Sequence, residues 1–196
     1  MSIRDTPYLA IDLELNGNDI IQVGVAIGSA YTDPGEYIVK SWYVKPISGG
    51  PISGEITKLT GITQGVIDNY AVNHDVVAKE LGDLISQHGV FVNPVQWGLS
   101  DADELKREFN DLGVKFPFFG RRVIDVKHFF LFIEAANGRS LSGGLRSAMG
   151  RHGLHFTGTP HRADWDALNT LRFFFHLLRR QQSLETSRQL MVQWTR

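Results

Sequence analysis

The chain contains no cysteine among its 196 residues. That excludes a disulfide framework, a thiol nucleophile and a zinc–thiolate centre, and it agrees with a reducing compartment. No apolar run approaches the ~20 residues that cross a bilayer. The opening Met1-Ser2-Ile3-Arg4-Asp5-Thr6-Pro7 lacks the apolar core of a secretion signal. A soluble, cytoplasmic protein with no membrane partner is therefore expected. Charge of neither sign dominates: 20 Lys and Arg face 21 Asp and Glu, for a formal net charge of −1. A binder of long nucleic-acid duplexes would carry a strongly basic face, so that class is disfavoured. Repeats and low-complexity linkers are also missing. What remains is a chain that is 42% hydrophobic and of a length suited to one well-cored domain.

The hydrophobic pattern opens in β form. Residues 8–14, 20–27 and 37–44 read as three strands, with Asn16-Gly17-Asn18-Asp19 as a turn between the first two. The connections are short enough for an antiparallel meander. Residues 45–70 read as an ordered loop. From Asn73 the period changes: Val76, Val77, Glu80, Leu81, Leu84 and Ile85 follow the spacing of an amphipathic helix. Val90-Phe91-Val92 and Val123-Ile124-Asp125 read as short strands. Helices are expected over 101–112, 126–136, 141–152 and from Ala163 onward, the last with an apolar stripe through Ala167, Leu171, Phe174 and Leu178. Three leading strands followed by alternating helices and strands predict one mixed α/β sheet with helices on its faces, over 1–180, with 181–196 as a polar tail.

Asp12 and Glu14 interrupt the apolar run Tyr8-Leu9-Ala10-Ile11-Asp12-Leu13-Glu14. On a strand, residues two apart share a face, so both carboxylates point the same way. Two like charges on a hydrophobic strand call for a bound cation or a shared proton. Alone, an Asp-x-Glu pair is a weak signal, since 13 Asp and 8 Glu give about half a chance match per chain of this length. A second element is Trp97-Gly98-Leu99-Ser100-Asp101, whose Asp101 opens a helix and, taken alone, reads first as N-terminal capping, which Asp103 could equally provide, and only second as a ligand. The third is His161-Arg162-Ala163-Asp164-Trp165-Asp166-Ala167, which sets an imidazole just ahead of a helix and a carboxylate one turn inside it. The remaining histidines show no ligand spacing with one another.

Taken in order, these elements resemble the motifs of the DEDDh 3′–5′ exonuclease superfamily, the ribonuclease-H-like group that includes polymerase proofreading exonucleases, ribonuclease T and oligoribonuclease. Ile11-Asp12-Leu13-Glu14-Leu15-Asn16-Gly17 is similar to the first motif. Trp97-Gly98-x-x-Asp101 is similar to the second, in the Trp-Gly form of histone-mRNA-type exoribonucleases. His161-Arg162-Ala163-x-x-Asp166-Ala167 is similar to the third. Ile20-Ile21-Gln22-Val23-Gly24 and Leu59-Thr60-Gly61-Ile62-Thr63 add support. Gln22 stands where the family often has Glu, and Trp165 where an Asp is common.

The resemblance implies a ribonuclease-H-like fold with a mixed five-stranded sheet, three antiparallel strands leading and parallel strands following. It implies metal-dependent hydrolysis of 3′ ends of single-stranded RNA or DNA, releasing nucleoside 5′-monophosphates, with RNA slightly favoured by the Trp-Gly motif. Asp12, Glu14, Asp101 and Asp166 would hold two Mg²⁺ or Mn²⁺ ions per site, a choice that suits a sulfur-free carboxylate set. His161 would act as general base, since an imidazole accepts a proton at neutral pH. Leu15, Asn16, Leu59 and Thr60 would lie near the terminal nucleotide, with Leu59 reading as readily as core. Trp97 reads as core or as a stacking ring, and Arg162 as a phosphate contact or as the partner of a nearby carboxylate. Phe116, Phe118 and Phe119 beside Arg121 and Arg122 read as a nucleic-acid contact or a buried loop anchor. The alternatives are a DNA proofreading or repair exonuclease acting in trans and a non-catalytic nucleic-acid or polymerase-associated module. A homodimer is expected by analogy with ribonuclease T. A polymerase or sliding-clamp partner is suggested only loosely, by Gln189-Leu190-Met191-Val192-Gln193-Trp194.

Overall fold

The computed structural model describes residues 5–98, 100–116 and 119–194, and for 188–194 the backbone alone. Leu99 of the second motif, Phe118 of the aromatic-basic stretch and the side chains of the segment 189–194 lie outside the described residues. Strands β1 (Tyr8–Asn16), β2 (Asp19–Gly28), β3 (Ile38–Tyr43), β4 (Val95–Gln96) and β5 (Ile124–Asp125) form one sheet in the order β3-β2-β1-β4-β5. The β1–β2 and β2–β3 pairs are antiparallel, and β1–β4 and β4–β5 are parallel. This is the expected mixed α/β, ribonuclease-H-like sheet. Helices α1 (Gly54–Thr60), α2 (Gln64–Tyr70), α3 (His74–His88), α4 (Asp101–Asp111), α5 (Val126–Ala136), α6 (Leu145–Arg151) and α7 (Ala163–Trp194) surround it.

The alternation of β1 divides the core in two. Leu9, Ile11 and Leu13 join one cluster with Val77 and Leu81 of α3 and Leu105 and Phe109 of α4. Tyr8 and Ala10 join another with Phe130 of α5, Met149 of α6 and Leu171 and Phe175 of α7. By the two-residue period of a strand, Asp12 and Glu14 continue the face of Tyr8 and Ala10, toward α7. Their cross-strand partners are Gly24 and Gln22. A Cβ at Gly24 would overlap the Ala163 backbone, so only glycine lets α7 approach the sheet this closely. The buried Gln22 carbonyl accepts the Ala163 N–H at 3.2 Å, satisfying one of the donors a helix start leaves open. Gln22 and Gly24 thus seat the first turn of α7 over the two carboxylates.

On the other face Glu108, fully buried, accepts the Ile20 N–H at 3.0 Å and lies 2.7 Å from His74 Nε2. One carboxylate therefore ties β2, α3 and α4 together.

Three expectations change. Residues 45–70 are not simply loop. Ser53 caps α1 by accepting the Ile56 N–H, Gly61 ends it in left-handed conformation, and Thr63 caps α2 through the Val66 N–H. Val90-Phe91-Val92 is not a strand. Gly89 ends α3 with a positive φ and Val90 N–H is drawn back to the Ile85 carbonyl; Phe91 and Val92 make single backbone bonds, to the Pro7 carbonyl and from the Gly120 N–H, and regular strand pairing starts at β4. The sixth helix begins at Leu145 rather than 141, after Gly143 at φ 108°. In the polar tail, residues 181–194 are helical and continuous with α7. Among the described residues no helix is long and apolar enough to cross a membrane.

Candidate active site

Carboxylate oxygens of Asp12, Glu14 and Asp166 lie within 4.8 Å of one another. Two come from β1 and the third from the first turn of α7. The Asp166 position is enforced locally: its Oδ2 accepts the His161 N–H at 2.7 Å and the Arg162 N–H at 3.2 Å. To turn its N–H inward, His161 takes φ 60°, alone among the described non-glycine residues in having positive φ. That conformation costs about 1–3 kcal/mol and persists only where surrounding contacts over-determine it. It leaves the imidazole exposed beside the carboxylates while the backbone of the same residue holds Asp166.

Asp101 stands outside that triad but within its electric field. It is positioned by a turn that a buried Gln96 clamps. The Gln96 amide donates to the Gly98 carbonyl at 2.7 Å, and its oxygen accepts the Ala102 N–H at 3.1 Å. Asp125 fastens the same turn, accepting N–H bonds from Gly98 at 3.1 Å, Lys127 at 2.8 Å and His128 at 3.2 Å. Gln96 is not singled out by the sequence, and Asp125 is singled out only within Val123-Ile124-Asp125, a further match to the family pattern, with no role attached. Asp125 carried a signal, an Asp between a short strand and a helix, whereas a lone Gln in a two-residue strand carried none.

The electrostatics are those of crowded anions. Burial first, then repulsion from Asp101, Asp166 and Glu14, pushes the Asp12 carboxyl well above the usual range. Burial, with Asp166 and Asp101 adding to it, moves Glu14 to about 8, against a pull downward from Arg162. Burial raises Asp101 to about 7, against stabilising N–H groups of Asp101 itself and Leu13. Burial raises Asp166 too, partly offset by the His161 and Arg162 N–H groups. Desolvated carboxylates with so little cationic compensation are an unfavourable arrangement unless a cation joins them. All donors are hard oxygens, so the set fits Mg²⁺ or Mn²⁺.

The expected substrate residues behave differently from one another. Leu59 is 49% exposed, which removes the reading of it as core. Leu15 is half-buried against the β1–α4 cluster. The Asn16 amide is engaged at both ends, accepting the Ser53 N–H at 3.0 Å and donating to the Pro51 carbonyl at 3.2 Å. The Thr60 hydroxyl donates to Ile56 O at 2.9 Å and accepts the Ile62 N–H at 3.0 Å. Asn16 and Thr60 therefore shape the α1 platform. Trp97 packs with Phe130 and Phe173, at ring separations of 5.8 and 6.0 Å. The Arg162 guanidinium lies 5.7 Å from the Tyr43 ring centre, with Nε 3.7 Å from an Asp164 oxygen. Phe116 packs edge-on against Phe109 and Phe119, as a loop anchor does.

The sequence model of the RNase_T exonuclease family matches residues 9–174. Among solved structures, the nuclease domain of 3′hExo, a DEDDh family member bound to rAMP, superposes with TM-score 0.73 at 22% identity, over 91% of this chain and 94% of that one. Cell-death related nuclease 4 (CRN-4) gives 0.74 at 20% identity, covering 90% of this chain and 64% of the other. The complex of Escherichia coli exonuclease I with single-stranded DNA gives 0.66 at 16% identity, covering 91% and 42%. At these identities the likeness is one of fold. Comparison with curated protein sequences gave no match. With the family sequence model spanning residues 9–174, over a sheet that carries the Asp12–Glu14–Asp166 cluster, the chain belongs to the RNase_T family of exonucleases.

Proposed function

We propose that this chain is a divalent-metal-dependent 3′–5′ exonuclease acting on single-stranded ends, with RNA slightly favoured, and that residues 1–180 form its exonuclease domain. The observation that carries this reading is the convergence of Asp12, Glu14 and Asp166 oxygens within 4.8 Å, beside an exposed His161 whose own N–H orients Asp166. Asp12, Glu14, Asp101 and Asp166 would hold two Mg²⁺ or Mn²⁺ ions. Such ions neutralise the phosphodiester and make water a nucleophile at neutral pH.

The remaining roles belong to side chains of this chain. His161 takes a proton from the attacking water as the new bond to phosphorus forms and the bond from phosphorus to the upstream nucleotide's 3′ oxygen breaks; that oxygen takes a proton from solvent, and the exposed ring returns its own to solvent. Rigid β1 fixes the two carboxylates two residues apart, a geometry a loop could not hold. Leu59 and Leu15 pack on the terminal nucleoside, with Asn16 and Thr60 holding their platform. Arg162, restrained by Tyr43 and Asp164, tempers the charge on Glu14.

The Trp-Gly form of the second motif and the likeness to an exonuclease solved with rAMP favour RNA. The likeness to exonuclease I with single-stranded DNA keeps DNA as the second reading. The test uses 5′-labelled RNA and DNA strands of one sequence, each with a free or a phosphate-blocked 3′ end, incubated with Mg²⁺. Ladders shortening from free 3′ ends, faster on RNA, are expected. Cleavage that begins internally and ignores the block would refute the reading.

A further inference from the structure

A pocket of about 530 Å³ opens directly beside the carboxylates, with His161 and Asp166 in one wall and Arg146, Ser147, Phe156 and Pro160 in the others. Pockets of this size hold nucleotide-scale ligands. Arg146 is exposed and makes no hydrogen bond or ion pair with any described residue. Other arginines near this end of the fold are committed. Arg162 is held by Tyr43 and Asp164, Arg151 by Glu134 and the carbonyls of Ser140 and Ser142, and Arg172 by Thr157 and Asn169. The Ser147 hydroxyl is likewise without a partner among the described residues. A free guanidinium and a free hydroxyl thus share a pocket with the cluster that would receive the scissile phosphate. Phe156 and Pro160 supply apolar surface for a sugar or base.

We propose that Arg146 and Ser147 form the subsite for the phosphodiester immediately upstream of the scissile one. This rests on the exonuclease reading given above. Neither Leu15 nor Leu59 lines this pocket, which is built from α6 and the segment before α7 and reaches the cluster through Asp166, so it is free to take the strand upstream of a nucleoside packed on Leu15 and Leu59. The guanidinium fork matches two phosphate oxygens, and the serine hydroxyl donates a third bond. Such contacts position any strand and carry no base preference.

The test compares two substrates, a ten-nucleotide single strand and the p-nitrophenyl ester of thymidine 5′-monophosphate, which has a scissile phosphodiester but nothing upstream. Arg146→Ala should lower the ratio of kcat/KM on the strand to kcat/KM on the ester about 10-fold, mainly through KM. The slope of log(kcat/KM) on the strand against log salt should fall by about 0.7, one phosphate contact on a single strand. Arg146→Lys should restore part of the ratio, because it keeps the charge without the fork. An unchanged ratio, or an unchanged salt slope, would overturn the subsite. If wild-type protein hydrolyses neither substrate, the exonuclease reading falls and the subsite falls with it.

Discussion

Replacing Glu14 by Gln preserves the shape of the side chain and removes its charge. Glu14 is 8% exposed, and its carboxyl is raised from an ordinary 4.5 to about 8, by burial first and by Asp166 and Asp101 next. Between those two values the unfolded chain has released this proton while the folded chain still holds it. The folded state binds more protons there, so its stability falls as pH rises from 4.5 toward 8. The interval from 4.5 to 7 corresponds to about 3 kcal/mol at about 1.36 kcal/mol per unit. Local rearrangement of the acidic cluster reduces that, leaving an expected gain of about 1–3 kcal/mol for Glu14→Gln at pH 7–8 in EDTA. For a chain of this size the melting temperature should rise by about 2–4 °C per kcal/mol. Thermal unfolding followed by circular dichroism at pH 4, 6 and 8 reads it directly. Wild type and variant should coincide at pH 4 and separate progressively above it. Adding Mg²⁺ should then raise the wild type more than the variant. A variant less stable than wild type at pH 8, or a difference independent of pH, would refute the electrostatic argument.

Three further outcomes follow from named contacts. His161→Ala should lower kcat by about 10²–10⁴-fold while the dissociation constant for a single strand changes less than about 3-fold, in parallel turnover and anisotropy measurements. Comparable losses in both would count against a general base. Gly24→Ala should cost about 1–3 kcal/mol and reduce kcat, because the new methyl group displaces Ala163 and with it the turn that presents Asp166. An alanine variant matching wild type in both would mean α7 does not need that approach. Glu108→Ala should cost about 2–4 kcal/mol in urea denaturation, since it strands the buried Ile20 N–H and the His74 ring. A loss below about 0.5 kcal/mol would show that water replaces the carboxylate.

The order of these elements was legible because periodicity and spacing are local. Asp12 and Glu14 announce themselves by breaking an apolar strand, and the structure adds why they face α7: they extend the Tyr8–Ala10 face. His161 and Asp166 are five residues apart, so their pairing through the backbone is a short-range matter. Contacts made at long range were hidden. Nothing near Gln22 says that it caps a helix starting 141 residues later. The Gln96 clamp on the turn before Asp101 depends on an amide whose neighbours in sequence look like ordinary strand. Leu59 and Thr60 were read together, yet the helix that holds them turns one outward and closes the other into its own hydrogen bonds. That helix was itself obscured by Gly and Pro before Ser53, although Ser53 and Gly61 mark its two ends. Arg146 carried no sequence signal, because a single Arg in a short helix resembles any solvated residue until the pocket around it is seen.

In the proposed reaction the Asp12–Glu14–Asp166 cluster, with Asp101 and His161, removes nucleotides one at a time from a 3′ end. The most direct measurement is a chromatographic time course of products released from an unlabelled single strand with Mg²⁺, run beside Asp12→Asn. Nucleoside 5′-monophosphates are expected from the first time points, in the order of the sequence read from its 3′ end, with almost none from the variant. Nucleoside 3′-monophosphates, oligonucleotide fragments preceding mononucleotides, or equal release by Asp12→Asn would contradict it.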